Sequence, residues 1–181
     1  MRRFGRSGRE AGADSQDEPG FNGDLQQLET AAVRLLARRE YSSEELRRKL
    51  LARGGDPDKV QTVLDKLSAT RMLSDQRYAA SFVHHHTSRG QGPVRIRAEL
   101  RQQGVNETLI EKQVDEAGAD WATLAAQVRR RRFGDALPRD ARERAKQARF
   151  LQYRGFTAEQ IRAALKMDVD ADFEEGAGGR P

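Results

Sequence analysis

The chain has 181 residues, 36% hydrophobic, 34% charged and 6% aromatic, with a formal net charge of +5 and no cysteine. So low an apolar fraction suits several small units with thin cores better than one large core, and the absence of cysteine excludes disulfides and thiolate zinc sites. No apolar run approaches the roughly 20 residues that span a bilayer, and the two arginines near the N-terminus have no apolar segment behind them; neither a membrane span nor a secretory signal is expected, and a cytoplasmic location is.

Residues 1–23 are rich in Gly, Asp, Ser and Arg with almost nothing to bury, the composition of a disordered tail. A first unit, 24–73, opens with an amphipathic helix from about Asp24 to Arg39 carrying Leu25, Leu28, Ala32, Leu35 and Leu36. Ser42 followed three residues later by Glu45 predicts a capping box, in which each side chain takes the other residue's free backbone N–H. The helix it opens carries Leu46, Leu50 and Leu51; Gly54 and Gly55 supply a turn, Asp56 a cap and Pro57 the first position of a third helix with Val60, Val63, Leu64 and Leu67.

The second unit, 74–119, opens at Ser74 with Tyr78, Phe82 and Val83 on its apolar face, breaks at Arg89-Gly-Gln-Gly-Pro93, and restarts with Pro93 as helix opener. After Gly104, Asn106 caps a further helix, and Val105 and Ile110 stand at the two positions of a hydrophobic staple. The third unit, 120–169, starts near Asp120 with Trp121, Leu124 and Val128. Its second helix is expected to open at Pro138, and its last helix, capped by Thr157 and Gln160 with Phe156 and Ile161 as staple, to end near Met167. Residues 170–181 are acidic and glycine-rich, again a disordered tail.

These units are copies of one pattern. Leu50, Leu100 and Leu151 each lie four residues before a glycine (Gly54, Gly104, Gly155); six residues past it stand Val60, Ile110 and Ile161, and ten past it Leu64, Val114 and Leu165. Spacing of i, i+4 places each of these later pairs on one helix face. The repeat therefore predicts an all-α chain of three tandem three-helix units.

Charge is unevenly shared. Residues 24–76 hold ten basic and nine acidic side chains and 77–120 six of each, but 121–167 hold twelve against four, a net of +8. The third unit is thus the candidate site for a polyanion or an acidic protein face. Arg129, Arg130, Arg131 and Arg132 are consecutive on a predicted helix whose side chains turn by about 100° per residue, so no single solvent face holds all four. They suit either a solvated helix end, where cations complement the dipole, or a ligand-facing cluster. Arg139, Arg142, Lys146, Arg149 and Arg154 on the next helix favour the cluster, with 142, 146 and 149 forming one stripe.

Other features carry less. Adjacent His84, His85 and His86 diverge on a helix and suit a surface better than a metal, whose helical ligands stand three or four apart. Glu107, Glu111 and Asp115 form an acidic stripe, read as solvated or as a protein contact. Neither GxxxxGK[ST] nor GxGxxG is present around Gly90 and Gly92. No catalytic triad or carboxylate pair stands out, so no enzyme activity and no cofactor are expected.

The segment RREYSSEELRRKL (Arg38 to Leu50), the segment LSDQRYAASFV (Leu73 to Val83) with Arg89, Gly92, Ile96, Glu99 and Leu100 after it, and RFLQYRGF (Arg149 to Phe156) resemble the RecX family of recombination regulators. The third unit departs in having Gln147 where Leu46 and Ile96 stand in the others. The resemblance implies three tandem three-helix repeats forming an elongated, curved body. It also implies a regulator without an active site, monomeric, that lies in the groove of the RecA filament on single-stranded DNA. There it would restrain ATPase, strand exchange and filament growth in recombination, DNA repair and the SOS response; naked single-stranded DNA would be bound weakly. Two other classes fit the residues: a stand-alone helical DNA-binding protein, opposed by Glu107, Glu111, Asp115 and Glu116 on the helix after Gly104, and a general helical adaptor.

Overall fold

The computed structural model describes residues 24–165. The expectations for 1–23 and 170–181, and for a helix end near Met167, lie outside the described residues. Nine α-helices occupy the described chain: α1 (Leu25–Leu36), α2 (Ser43–Ala52), α3 (Pro57–Ala69), α4 (Asp75–Ser88), α5 (Pro93–Gln102), α6 (Glu107–Glu116), α7 (Trp121–Phe133), α8 (Ala141–Tyr153) and α9 (Ala158–Ala164). Each consecutive trio packs on itself, giving three separate cores. Leu28, Leu46, Leu50, Val60 and Leu67 fill the first; Val83, Ile96, Leu100 and Ile110 the second; Ala125, Leu151, Phe156 and Leu165 the third. No helix among the described residues is long and apolar enough to cross a membrane.

The glycine of each repeat stops a helix in the same way. Gly104 has φ +74°; its N–H bonds to the Arg101 carbonyl at 2.9 Å, and the Val105 N–H to the Leu100 carbonyl at 3.2 Å. Gly54 and Gly155 repeat both bonds one unit either side. This is the Schellman arrangement, in which a left-handed residue lets two otherwise orphaned carbonyls be satisfied and turns the chain back on itself. The apolar residue just past the stop then drops into the core: Val105 with Ile110, and Phe156 with Ile161, are buried together as the staples require.

Caps agree with the sequence in most places. Asp56 accepts from Asp58 and Lys59, Asn106 from Thr108, and Thr157 and Gln160 form the full reciprocal box. Two local expectations are corrected. At Ser42 only half of the box forms: its hydroxyl accepts from the Glu45 N–H at 3.0 Å, but the Glu45 carboxylate is held by the Arg39 guanidinium (Nη1 to Oε2, 3.1 Å), while the Ser43 N–H bonds to Asp75 across the unit boundary. The Arg39 guanidinium offers the carboxylate a charged donor with two N–H groups, where the backbone amide offers one neutral N–H. And α8 opens at Ala141 rather than Pro138, because Asp140 caps it by accepting from the Glu143 N–H at 2.7 Å, with the Glu143 carboxylate reaching back to the Arg139 N–H. Leu25 and Leu51, assigned to apolar faces by period, are 37% exposed at the rim of the first unit.

Units are joined by one device used twice. The Ser42 hydroxyl at the start of α2 donates to the Gln103 carbonyl at the end of α5 (2.7 Å), and the Gly92 N–H at the start of α5 donates to the Arg154 carbonyl at the end of α8 (2.8 Å). The start of the second helix in one unit thus sits on the glycine stop of the next. Glu40 with Arg77 (2.9 Å) and Arg48 with the Gln103 side chain (2.8 Å) reinforce the first junction. Trp121 opens α7 yet packs against the second core, tying the third unit to its neighbour.

Candidate functional site

The third unit carries the cationic surplus, and its geometry separates the arginines that hold the fold from those that face outward. Arg129 is 3% exposed; its guanidinium donates to the carbonyls of Ala136 (2.8 Å) and Asp135 (3.2 Å). It therefore straps the loop after α7 to the helix, and leaves the ligand-facing set that the four consecutive arginines suggested. Such a buried guanidinium persists because planar donors satisfy several carbonyls at once. Arg130, Arg131 and Arg132 are exposed at the end of α7, where Gly134 (φ +87°) ends the helix.

Arg139 is exposed in the loop before α8, and Arg142, Lys146 and Arg149 form the expected stripe on the outer side of α8, all exposed. One and a further turn on, the same side of α8 ends in Tyr153, 76% exposed, with the Arg95 guanidinium 5.6 Å from its ring centre. Arg144, also exposed, extends the basic surface. Arg154 is half-buried: it donates to the Arg89 carbonyl (3.3 Å) and lies 5.6 Å from the Phe150 ring centre. It thus belongs to the boundary with the second unit rather than to the stripe.

Between those two units opens a cleft of about 290 Å³ lined by Arg89, Val128, Arg131, Arg132, Phe150 and Arg154. Phe150 forms its aromatic wall, set edge-on to Phe133 at 5.3 Å. The sequence marks Arg131, Arg132 and Arg154 as candidates; Arg89, Val128 and Phe150 it does not, since they meet the others only when α4, α7 and α8 dock. An aromatic residue directly after Arg149 in a basic helix was the available signal.

The third unit differs from the others in how its charges are compensated. In the first two, cations find carboxylates within the fold: Arg39 with Glu45, Lys66 with Glu29 at 2.7 Å, Arg95 with Glu99 at 2.7 Å, Arg97 with Glu111 at 2.8 Å, and Arg101 with Glu107. Among the described residues, no cation of α7, α8 or the loop between them makes an ion pair, and Asp120, Asp140 and Glu143 are occupied as backbone caps and turns. The Asp120 carboxyl is held below the usual carboxylate range by hydrogen bonds from the Thr123 hydroxyl and backbone. Uncompensated cations raise the local positive potential and favour an anionic partner.

The remaining sequence features resolve into structure. The acidic stripe of α6 is met by α5: Arg101 takes Glu107, whose carboxyl it holds below its ordinary range, and Arg97 takes Glu111. His86 stacks on Phe82 with ring centres 3.8 Å apart, while His84 and His85 are exposed. No group of three or more His, Asp or Glu side chains among the described residues is placed to hold a metal ion.

Three family models match the chain in order, described as the first (residues 30–67), second (74–112) and third (120–165) three-helix domains of RecX. The chain is 50% identical over 149 residues to the regulatory protein RecX of Halorhodospira halophila, covering 82% of this chain and 92% of that one. It is 46% identical to that of Pseudomonas fluorescens strain SBW25, covering 77% and 90%. The fold is similar to the crystal structure of RecX from Lactobacillus salivarius (TM-score 0.69, 19% identity, 81% and 97% coverage) and to a second crystal structure of regulatory protein RecX (TM-score 0.67, 23% identity, 80% and 72% coverage).

Proposed function

The chain belongs to the RecX family of regulatory proteins, and from that premise we propose that it is a cytoplasmic, monomeric regulator that binds the RecA recombinase filament. By lying across neighbouring RecA subunits it restrains ATPase, strand exchange and filament growth. Partner recognition, not chemistry, is its task. Arg130, Arg131, Arg132, Arg139, Arg142, Lys146, Arg149 and Arg154 supply the cationic face toward single-stranded DNA within the filament or an acidic RecA surface. The observation that carries this assignment is the contrast in compensation: Arg39, Arg77, Arg95, Arg97 and Arg101 of the first two units are paired with carboxylates within the fold, whereas among the described residues no cation of α7, α8 or the loop between them makes an ion pair.

The test is RecA's DNA-dependent ATPase, measured against rising amounts of wild type and of a variant carrying Arg142→Glu, Lys146→Glu and Arg149→Glu, at two salt concentrations. The wild type inhibits; the variant, whose three changes are all on exposed side chains, requires several-fold more protein, and the gap narrows as salt screens the contact. Equal inhibition by both removes the stripe from the mechanism, and no inhibition by the wild type overturns the RecA reading.

A further inference from the structure

The cleft between the second and third units has a chemistry the outer stripe lacks. Four guanidinium-bearing residues from three elements (Arg89 at the end of α4, Arg131 and Arg132 on α7, Arg154 after α8) surround an apolar wall made by Phe150 and Val128, and no carboxylate lines it. Arg89, Arg131 and Arg132 make no ion pair among the described residues, and Arg154 already donates to a backbone carbonyl that fixes its position. At about 290 Å³ the cleft is at or below the smallest of the ~300–1,000 Å³ pockets that enclose drug-sized ligands, which suits a single nucleotide unit.

We propose that this cleft is a nucleotide subsite for single-stranded DNA: the base lies against Phe150 and Val128, and the adjoining phosphodiester is held by Arg131, Arg132, Arg154 and Arg89. The assignment rests on the reading of the third unit as a polyanion surface and specifies where a strand is gripped. A duplex does not fit this chemistry, because its base faces are stacked on one another and only a single strand presents a free π-face to an aromatic wall. An acidic peptide would use the guanidiniums and leave the Phe150 wall without a counterpart. Arg89 makes the site composite: a strand seated here bridges the second and third units.

Two variants separate the cleft from the stripe. Phe150→Leu removes the aromatic face without changing charge, and Arg89→Ala removes an exposed side chain from a residue whose carbonyl, not its guanidinium, takes part in the fold. Binding of a fluorescein-labelled twenty-residue oligothymidylate is measured by anisotropy for full-length wild type, both variants and the Arg142→Glu, Lys146→Glu, Arg149→Glu protein, with an abasic strand of equal length as second probe. Helix content is checked by circular dichroism. The wild type binds oligothymidylate more tightly than the abasic strand. Phe150→Leu weakens oligothymidylate binding roughly tenfold, the order expected for losing one base–aromatic stack, and abolishes the preference over the abasic strand. Arg89→Ala lowers the salt dependence by about one phosphate contact.

If Phe150→Leu and Arg89→Ala both bind like wild type while the triple variant is weakened, the cleft is not the subsite and the polyanion reading of the unit survives. Equal wild-type affinity for the two strands, or displacement of oligothymidylate by polyglutamate as effective as by an unlabelled strand, also overturns the subsite. No wild-type binding to either strand overturns both. Should Phe150→Leu lose helix, the Arg89→Ala salt dependence and the wild-type preference over the abasic strand decide the matter.

Discussion

Gly92 and Gly155 approach so closely that a Cβ on Gly92 would stand 2.3 Å from the Gly155 carbonyl oxygen, and that same carbonyl accepts from the Val94 N–H at 3.0 Å. Backbone meets backbone here with no side chain between. At the junction one unit earlier Ser42 stands in the place of Gly92, and the bond across is made by its hydroxyl instead of a backbone amide; a Cβ on the stop, Gly104, would meet the Glu44 Cβ at 2.5 Å, where one on Gly155 would meet the Arg95 Cβ at 2.3 Å and its backbone N at 2.6 Å. At Gly54, the corresponding stop of the first unit, a Cβ would meet nothing within 4 Å, since no unit docks there.

The three stops should therefore rank on substitution by alanine. Gly54→Ala carries only the left-handed penalty, about 1–2 kcal/mol. Gly104→Ala adds the collision with Glu44, and Gly155→Ala the collision with the backbone of Arg95, which cannot move aside as a side-chain tip can. Urea unfolding should give losses in the order Gly54, Gly104, Gly155, with Glu44→Gly recovering part of the Gly104→Ala loss in a double-mutant cycle. Equal losses at all three would show that unit docking adds nothing at these turns.

Ser42 is 1% exposed and serves twice, as cap of α2 and as donor to Gln103. Ser42→Ala should cost about 2–4 kcal/mol, a cap of ~1 kcal/mol together with a half-buried carbonyl left unpaired at about 1–3 kcal/mol. Thr157→Ala at the third unit's cap, where no junction is involved, should cost only about 1 kcal/mol. Thermal or urea unfolding of the two variants compares them; a Ser42→Ala loss no larger than that of Thr157→Ala would mean the bond to Gln103 contributes nothing.

Gln147 stands where Leu46 and Ile96 fill the other units. It is 7% exposed, and its carbonyl oxygen has no hydrogen-bond partner. Replacing an unsatisfied buried amide by an apolar group of similar volume removes a desolvation cost of about 1–3 kcal/mol. Gln147→Leu should thus raise the midpoint of unfolding, whereas Leu46→Gln at the matching position of the first unit should lower it. A destabilised Gln147→Leu protein would show that the amide is satisfied in solution.

The Tyr78 phenol reports on the boundary between the first two units. Burial, followed by the nearby Glu45 carboxylate, pushes its pKa up to about 12 from 10.0. A group whose folded pKa is raised contributes stability that is fully present below its unfolded pKa and is lost as pH rises through the folded value. Between pH 10 and 12 the wild type should therefore lose about 2–3 kcal/mol relative to Tyr78→Phe, which has no proton to release. Parallel stability curves for the two proteins over that range would place the phenol in water.

Much of this molecule is decided within one or two helical turns, and such features are legible in order along the chain. Asn106, Thr157 and Asp56 cap because a short oxygen-bearing side chain at that point meets free amides two or three residues on. Gly54, Gly104 and Gly155 stop helices because the left-handed conformation costs glycine nothing. The i, i+4 pairs after each stop mark the buried face, so three repeated trios of helices follow from the pattern alone. The net charge of the third unit was equally plain, and so was the stripe of Arg142, Lys146 and Arg149.

Only the tertiary structure decided what each charge does, because side chains choose partners by position in space. Arg129 and Arg130 are neighbours in sequence, yet one is buried against two carbonyls and the other is exposed. The Ser42 box is half made because Glu45 lies within reach of Arg39, and the stripe of Glu107 and Glu111 is compensated because α5 turns Arg101 and Arg97 toward it. Arg89 and Arg154, 65 residues apart, meet only because α5 docks on the glycine stop after α8, and that docking opens the cleft beside Phe150. Local amides and hydroxyls bond to what the chain places next to them, while long charged side chains reach further and take whichever partner the packing of separate units brings near.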